Sequence, residues 1–135
     1  MQQAELEKLM EECSADAVRA AHDEFAIELD YSPESTKSVD DILLSFLDKY
    51  HDKALEDSAV FTICNVYGAY LGETYRKIAG GDWRYDDSNP EAPFVVLDAG
   101  EYSYAFAGIC YERLVNDSNV SVAMYFDQAL SRQRQ

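Results

Sequence analysis

The chain has 135 residues, 47% of them hydrophobic, and a formal net charge of −15. That length suits one globular α+β or helical domain, residues 1–135, with a core of its own. The acid excess argues against direct nucleic-acid contact and against an anionic membrane surface, both of which call for clustered Lys and Arg. A basic protein partner is the class it admits, with plain solubility as the alternative.

Met1 to about His22 reads as a first helix. Leu6, Leu9, Met10, Cys13, Ala17, Ala20 and Ala21 form its apolar stripe, and Glu5, Glu7, Glu11, Glu12 and Asp16 face water. Acid early in a helix also suits the macrodipole. The chain therefore begins with an acidic helix instead of a basic, apolar leader, and a cytoplasmic location is expected. Phe25, Ile27, Leu29 and Tyr31 alternate with polar residues, which suggests a short strand or extended segment, or a frayed end of the helix. Ser32-Pro33 is a restart, with Ser as N-cap and Pro at the first helical position. Val39, Ile42, Leu43, Phe46, Leu47 and Tyr50 then repeat at helical spacing to about His51.

After a polar connection from Asp52 to Asp57 comes the stretch that organises the chain. No charged residue occurs from Ser58 to Gly72. Val60, Ile63, Cys64, Tyr67, Leu71, Tyr75 and Ile78 share one stripe, and the other side holds Phe61, Asn65, Gly68, Ala69 and Gly72. A helix without a charged face is expected to be buried nearly all round. Gly68 and Gly72 each cost roughly 0.8–1.0 kcal/mol against Ala in a helix, so close approach of a second backbone is expected there. Gly80-Gly81 stops the helix, with Gly in a left-handed cap.

Asp82-Trp83-Arg84-Tyr85 and Phe94-Val95-Val96-Leu97 flank a turn-rich run and read as an antiparallel hairpin from Trp83 to Leu97. Tyr102, Tyr104 and Phe106 offer a third strand. Gly108 to Val115 is more helical, Asn116-Asp117-Ser118 is a break, and Val120 to Leu130 forms a last helix on Val120, Ala123, Met124, Asp127 and Leu130.

Chemistry is sparse. Cys13, Cys64 and Cys110 lack metal-ligand spacing and read as reduced thiols. His22 and His51 sit near helix ends, where the dipole favours a charged His, and neither belongs to a zinc motif. Glu73 lies among apolar neighbours; it is either a carboxyl tuned for acid–base work or the partner of Lys77 four residues on. Asp82, Asp86, Asp87, Glu91, Asp98 and Glu101 gather around the hairpin. They could hold Ca²⁺ or Mg²⁺ but lack the ligand order of an EF-hand, so a solvated acidic loop is the simpler reading. No metal or cofactor is expected. Seven tyrosines, Tyr67, Tyr70, Tyr75, Tyr85, Tyr102, Tyr104 and Tyr111, fall in the second half with Trp83, a composition found at interfaces as well as in cores.

Gly68-Ala69-Tyr70-Leu71-Gly72-Glu73, followed by Gly80-Gly81-Asp82-Trp83, resembles a family of small bacterial domains that carry a GxYxGE helix and then GGxW. Leu29-Asp30-Tyr31-Ser32, with Ser35 and Asp40-Asp41, looks like that family's entry into its second helix. The resemblance implies a mainly helical α+β domain and no particular activity.

The reading is thus a mostly helical α+β domain of four to five helices around a central helix, with a small antiparallel hairpin. Its expected role is protein–protein interaction, in one form an immunity-type inhibitor of a basic toxin. The expected binding residues are Glu73, Trp83, Tyr85, Asp86 and Asp87, and Gly68, Gly72, Gly80 and Gly81 are structural. The alternative is a small enzyme or ligand-binding protein built on Glu73 and the hairpin carboxylates.

Overall fold

The computed structural model describes residues 2–51, 56–86, 94–116 and 119–133. In chain order they form α1 (Gln3–Phe25), a 3-10 turn (Pro33–Ser35), α2 (Thr36–His51), α3 (Asp57–Ala79), β1 (Asp82–Asp86), β2 (Phe94–Ala99), β3 (Tyr102–Tyr104), α4 (Phe106–Tyr111), a π-helical turn (Glu112–Asn116) and α5 (Val122–Gln133). This is a mostly helical α+β fold. α1, α4 and α5 pack against α3, and α2 packs on α5 and the π-helical turn.

α1 buries Leu6, Met10, Ser14, Ala17 and Ala21, a three–four spacing that leaves Leu9 exposed. The helix runs past His22 to Phe25. It stops at Ala26, which is left-handed (φ 56°, ψ 36°), and the Ile27 N–H reaches back to the Ala21 carbonyl at 3.0 Å. The alternation from Phe25 to Tyr31 therefore does not make a strand: its first residue ends α1, and the sheet has the order β1-β2-β3. Ser32 caps the next turn as expected, its hydroxyl accepting the Ser35 N–H at 3.2 Å.

α3 has two halves. Nine consecutive residues, Tyr67 to Tyr75, are buried, the charged Glu73 among them. The first turns are covered on one side only: Val60 and Cys64 are buried, and Ser58, Phe61, Thr62 and Asn65 are exposed. The two helix glycines mark close approaches of different kinds. A Cβ on Gly68 would lie 2.6 Å from the backbone N and Cα of Ala107, so α4 crosses α3 backbone to backbone there. At Gly72 the neighbour is a side chain, the Trp83 indole. The chain leaves α3 through Gly80, whose φ of 79° and ψ of −158° lie in a region essentially reserved for Gly, instead of the expected left-handed cap. Gly81 follows at φ 115°, where a Cβ would meet the Asp98 carbonyl oxygen at 3.1 Å.

The antiparallel register puts Trp83 opposite Leu97 and Leu97 opposite Tyr104; these three side chains cover the core. Asp82, Asp98 and Ser103 make the matching row on the other face. The third strand ends at Tyr104, and Phe106 opens α4 instead of extending the sheet. Tyr75 on α3 then meets Tyr104, Phe106 and Phe126, with ring centroids 5.4, 6.1 and 6.2 Å away. α5 buries Val122, Ala123, Phe126, Ala129 and Leu130, whereas Met124 is 64% exposed. The helix is thus rotated from the expected stripe, because the large Phe126 sets the buried phase.

Candidate functional site

The expected binding residues divide between the core and the surface of the sheet. Glu73 is only 7% exposed. Its Oε2 accepts from the Arg76 guanidinium at 2.8 Å and from the Trp83 indole Nε1 at 3.2 Å. Arg76 also donates to the Gly81 carbonyl at 3.2 Å, and Gln3 of α1 donates to the Trp83 carbonyl at 2.5 Å. Together these bonds tie the end of α3 to β1 and α1. The cation that meets Glu73 is Arg76, three residues on. Lys77 instead sits 4.9 Å from the ring centroid of Tyr31, a cation–π contact.

Trp83 is buried as well, so neither it nor Glu73 presents itself to a partner. The reason is Gly72: without a side chain at that position, the indole moves onto α3 and away from solvent. Tyr85 is exposed at the far end of β1. Asp86 is half-buried on the outer face, 3.8 Å from Arg84. Asp87 lies outside the described residues, as do Glu91 and the side chain of His51.

The outer sheet face carries Asp82, Arg84, Asp86, Asp98 and Ser103. Arg84 donates to Asp98 at 2.7 Å through Nε and at 3.3 Å through a terminal nitrogen, and the Ser103 hydroxyl adds a bond at 2.5 Å. The Arg84 bond and the Ser103 hydroxyl hold the Asp98 carboxyl below its usual range. Glu73 meets β1 from the opposite face, beside Trp83. Glu73 therefore does not converge with Asp82, Asp86 and Asp98, and among the described residues no group of three or more His, Cys, Asp or Glu side chains is arranged to hold a metal ion.

Of the tyrosines, Tyr67, Tyr70, Tyr75 and Tyr104 are buried, and Tyr85 and Tyr102 are exposed. Burial pushes the Tyr67 hydroxyl up to about 12. Tyr70 accepts the Tyr31 N–H at 2.8 Å and shares a 2.7 Å bond with the Ser35 hydroxyl; the Tyr31 hydroxyl meets Ser14 at 2.9 Å. This network holds Tyr31 at φ 62°, a costly conformation for a bulky residue. His22, exposed, pairs with Glu28, and that bond raises its pKa.

Sequence reading missed the role of Asp40. It is 8% exposed on α2, and its carboxylate accepts the Val122 N–H at 2.8 Å, the Ala123 N–H at 3.1 Å and the Ser121 hydroxyl at 2.8 Å. Arg113 stands 3.4 Å away and also donates to the Val120 carbonyl at 2.9 Å. The sequence signal was a lone Asp on the inward side of an amphipathic helix. Such a residue needs donors, and a helix N-terminus supplies them.

No helix among the described residues is long and apolar enough to cross a membrane. Comparison with protein-family models, curated proteins and solved structures returned no match.

Proposed function

We propose that the chain is an acidic protein–protein interaction module whose partner is basic. The observation that carries this reading is where the charge sits. Glu5, Glu11, Glu12, Asp16, Asp23 and Glu24 are exposed along α1, against the bases Lys8, Arg19 and His22; Arg19 is paired with Asp16 and His22 with Glu28. Such a surface steers a cationic partner and speeds its encounter, with a strong dependence on salt. In its narrower form the proposal is a bacterial, cytoplasmic immunity-type protein that covers a basic toxin, by analogy with other small acidic bacterial proteins.

Affinity capture at low salt, followed by a high-salt wash and mass spectrometry, tests the reading. The expected result is a basic protein released by salt. Capture that is indifferent to salt, or none by a folded bait, overturns it.

A further inference from the structure

Past Asp57, the solvent side of the first turns of α3 is uncharged, while Val60 and Cys64 face the core. Ser58, Phe61, Thr62 and Asn65 are spaced to lie on one side of the helix, and Phe61 is 56% exposed. In a chain with 27% charged residues, the solvent face of a helix ordinarily carries charge. The Phe61 ring is stacked on Tyr111 of α4, with centroids 5.7 Å apart and planes 13° from parallel. The pair is therefore held in place before anything binds, which lowers the ordering cost of an aromatic contact. Exposed acids stand at its margins: Glu56 and Asp57 at the start of α3, and Glu112 next to Tyr111.

We propose that this face, centred on Phe61 and Tyr111, is the docking surface for a basic protein segment that presents an apolar side chain between Lys or Arg residues. This rests on the interaction reading above and gives it a contact surface. Charge complementarity selects the occupant. A neutral aromatic centre can be desolvated without burying a carboxylate, while cations at its edge meet Glu56 and Asp57. An Arg guanidinium can also lie on the exposed Phe61 ring. A second copy fits less well, since each chain brings a charge of −15.

The test uses two synthetic peptides of equal positive charge, one with Leu and Trp between lysines and one with Ser in their place. Each is titrated into the ¹⁵N-labelled protein at low salt. The apolar peptide is expected to shift the amides of Phe61, Thr62, Asn65 and Tyr111 and to bind more tightly than the Ser peptide. Phe61→Ser should weaken it roughly tenfold and leave the Ser peptide unaffected. Thr62→Arg, which places a cation on an exposed position, should weaken it as well. Shifts confined to α1 or the outer sheet face, or equal binding of both peptides, overturn this surface and leave the interaction reading standing. Binding of neither peptide overturns both. Dimers seen by sedimentation without peptide, with Phe61→Ser monomeric, would assign the face to a second copy and overturn the basic occupant.

Discussion

The indole of Trp83 occupies the space that a side chain at Gly72 would need: a Cβ there would fall 2.0 Å from Cη2 and 2.3 Å from Cζ2 of the ring. Gly72→Ala gains about 0.8–1.0 kcal/mol of helix propensity. Against that, overpacking costs about 1–3 kcal/mol, and the ring is pinned by its bond to Glu73. A net loss of up to about 2 kcal/mol is expected in urea unfolding. In a Trp83→Leu background the clash is gone, so the same substitution should become neutral or stabilising. An unchanged cost in both backgrounds would contradict the contact.

Glu73 serves two donors with one oxygen, so removing it leaves both in a part-buried setting. Glu73→Ala is expected to cost roughly 3 kcal/mol, the lower end for a broken buried pair, because Arg76 keeps some contact with water. Glu73→Gln retains an acceptor for the indole and should cost about half as much. Both variants should bind the apolar cationic peptide as the parent does. Lost binding without lost stability would instead favour a ligand site at Glu73.

Asp40 closes the N-terminus of α5 from another helix. Asp40→Ala strips the cap from Val122 and Ala123 and leaves Arg113 without its carboxylate. A loss of about 3 kcal/mol is expected, against about 1 kcal/mol for Ser121→Ala, which removes one hydroxyl at the helix start. Hydrogen exchange should show α5 opening first in Asp40→Ala. Uniform destabilisation, with α5 as protected as its neighbours, would argue against this coupling.

The helices were legible because their apolar stripes are strong and their starts carry signals such as Ser32-Pro33. The end of α1 was not, because Ala26 takes the left-handed role usually given to Gly. Glycine spacing on α3 announced close contacts, but spacing cannot say whether a backbone or an indole fills them. The uncharged run from Ser58 to Gly72 predicts a helix buried nearly all round. Burial on all sides is confined to Tyr67–Tyr75; in the earlier turns Val60 and Cys64 face the core while Ser58, Phe61, Thr62 and Asn65 are exposed. The candidate site was less legible still. Whether Trp83 faces water or the core depends on Gly72, a tertiary fact, and the Phe61–Tyr111 stack joins residues 50 positions apart.

The Arg84–Asp98 bond gives a pH dependence with a definite sign. Asp98 has a lowered pKa in the folded chain, mainly through its bond to Arg84. Its contribution is therefore complete above the unfolded value of about 3.9 and is lost as pH falls through the lower folded value. Arg84→Ala should unfold at a higher pH than the parent in an acid titration. The stability gap between the two proteins should be constant near neutrality and narrow below about pH 4. A gap that persists at the acid end would show that Arg84 acts through packing alone.

Cys64 and Cys110 flank the point where α3 and α4 touch. Burial pushes the Cys64 thiol up to about 12, and burial drives Cys110 well upward as well. Thiolate is the reactive form, so neither should react in native buffer. Cys13, half-buried and raised by burial and by Asp16 and Glu12, should be labelled first, slowly. The other two should follow together as urea opens the chain, read by mass spectrometry of alkylated peptides. Gly68→Ala must push α4 away from α3, because its Cβ has backbone 2.6 Å away. It should bring labelling of Cys64 and Cys110 to a lower urea concentration while sparing Cys13. Rapid labelling of Cys110 in the unmodified native chain would mean that α4 is not held against Gly68, and the packing argued for α3 would fall with it.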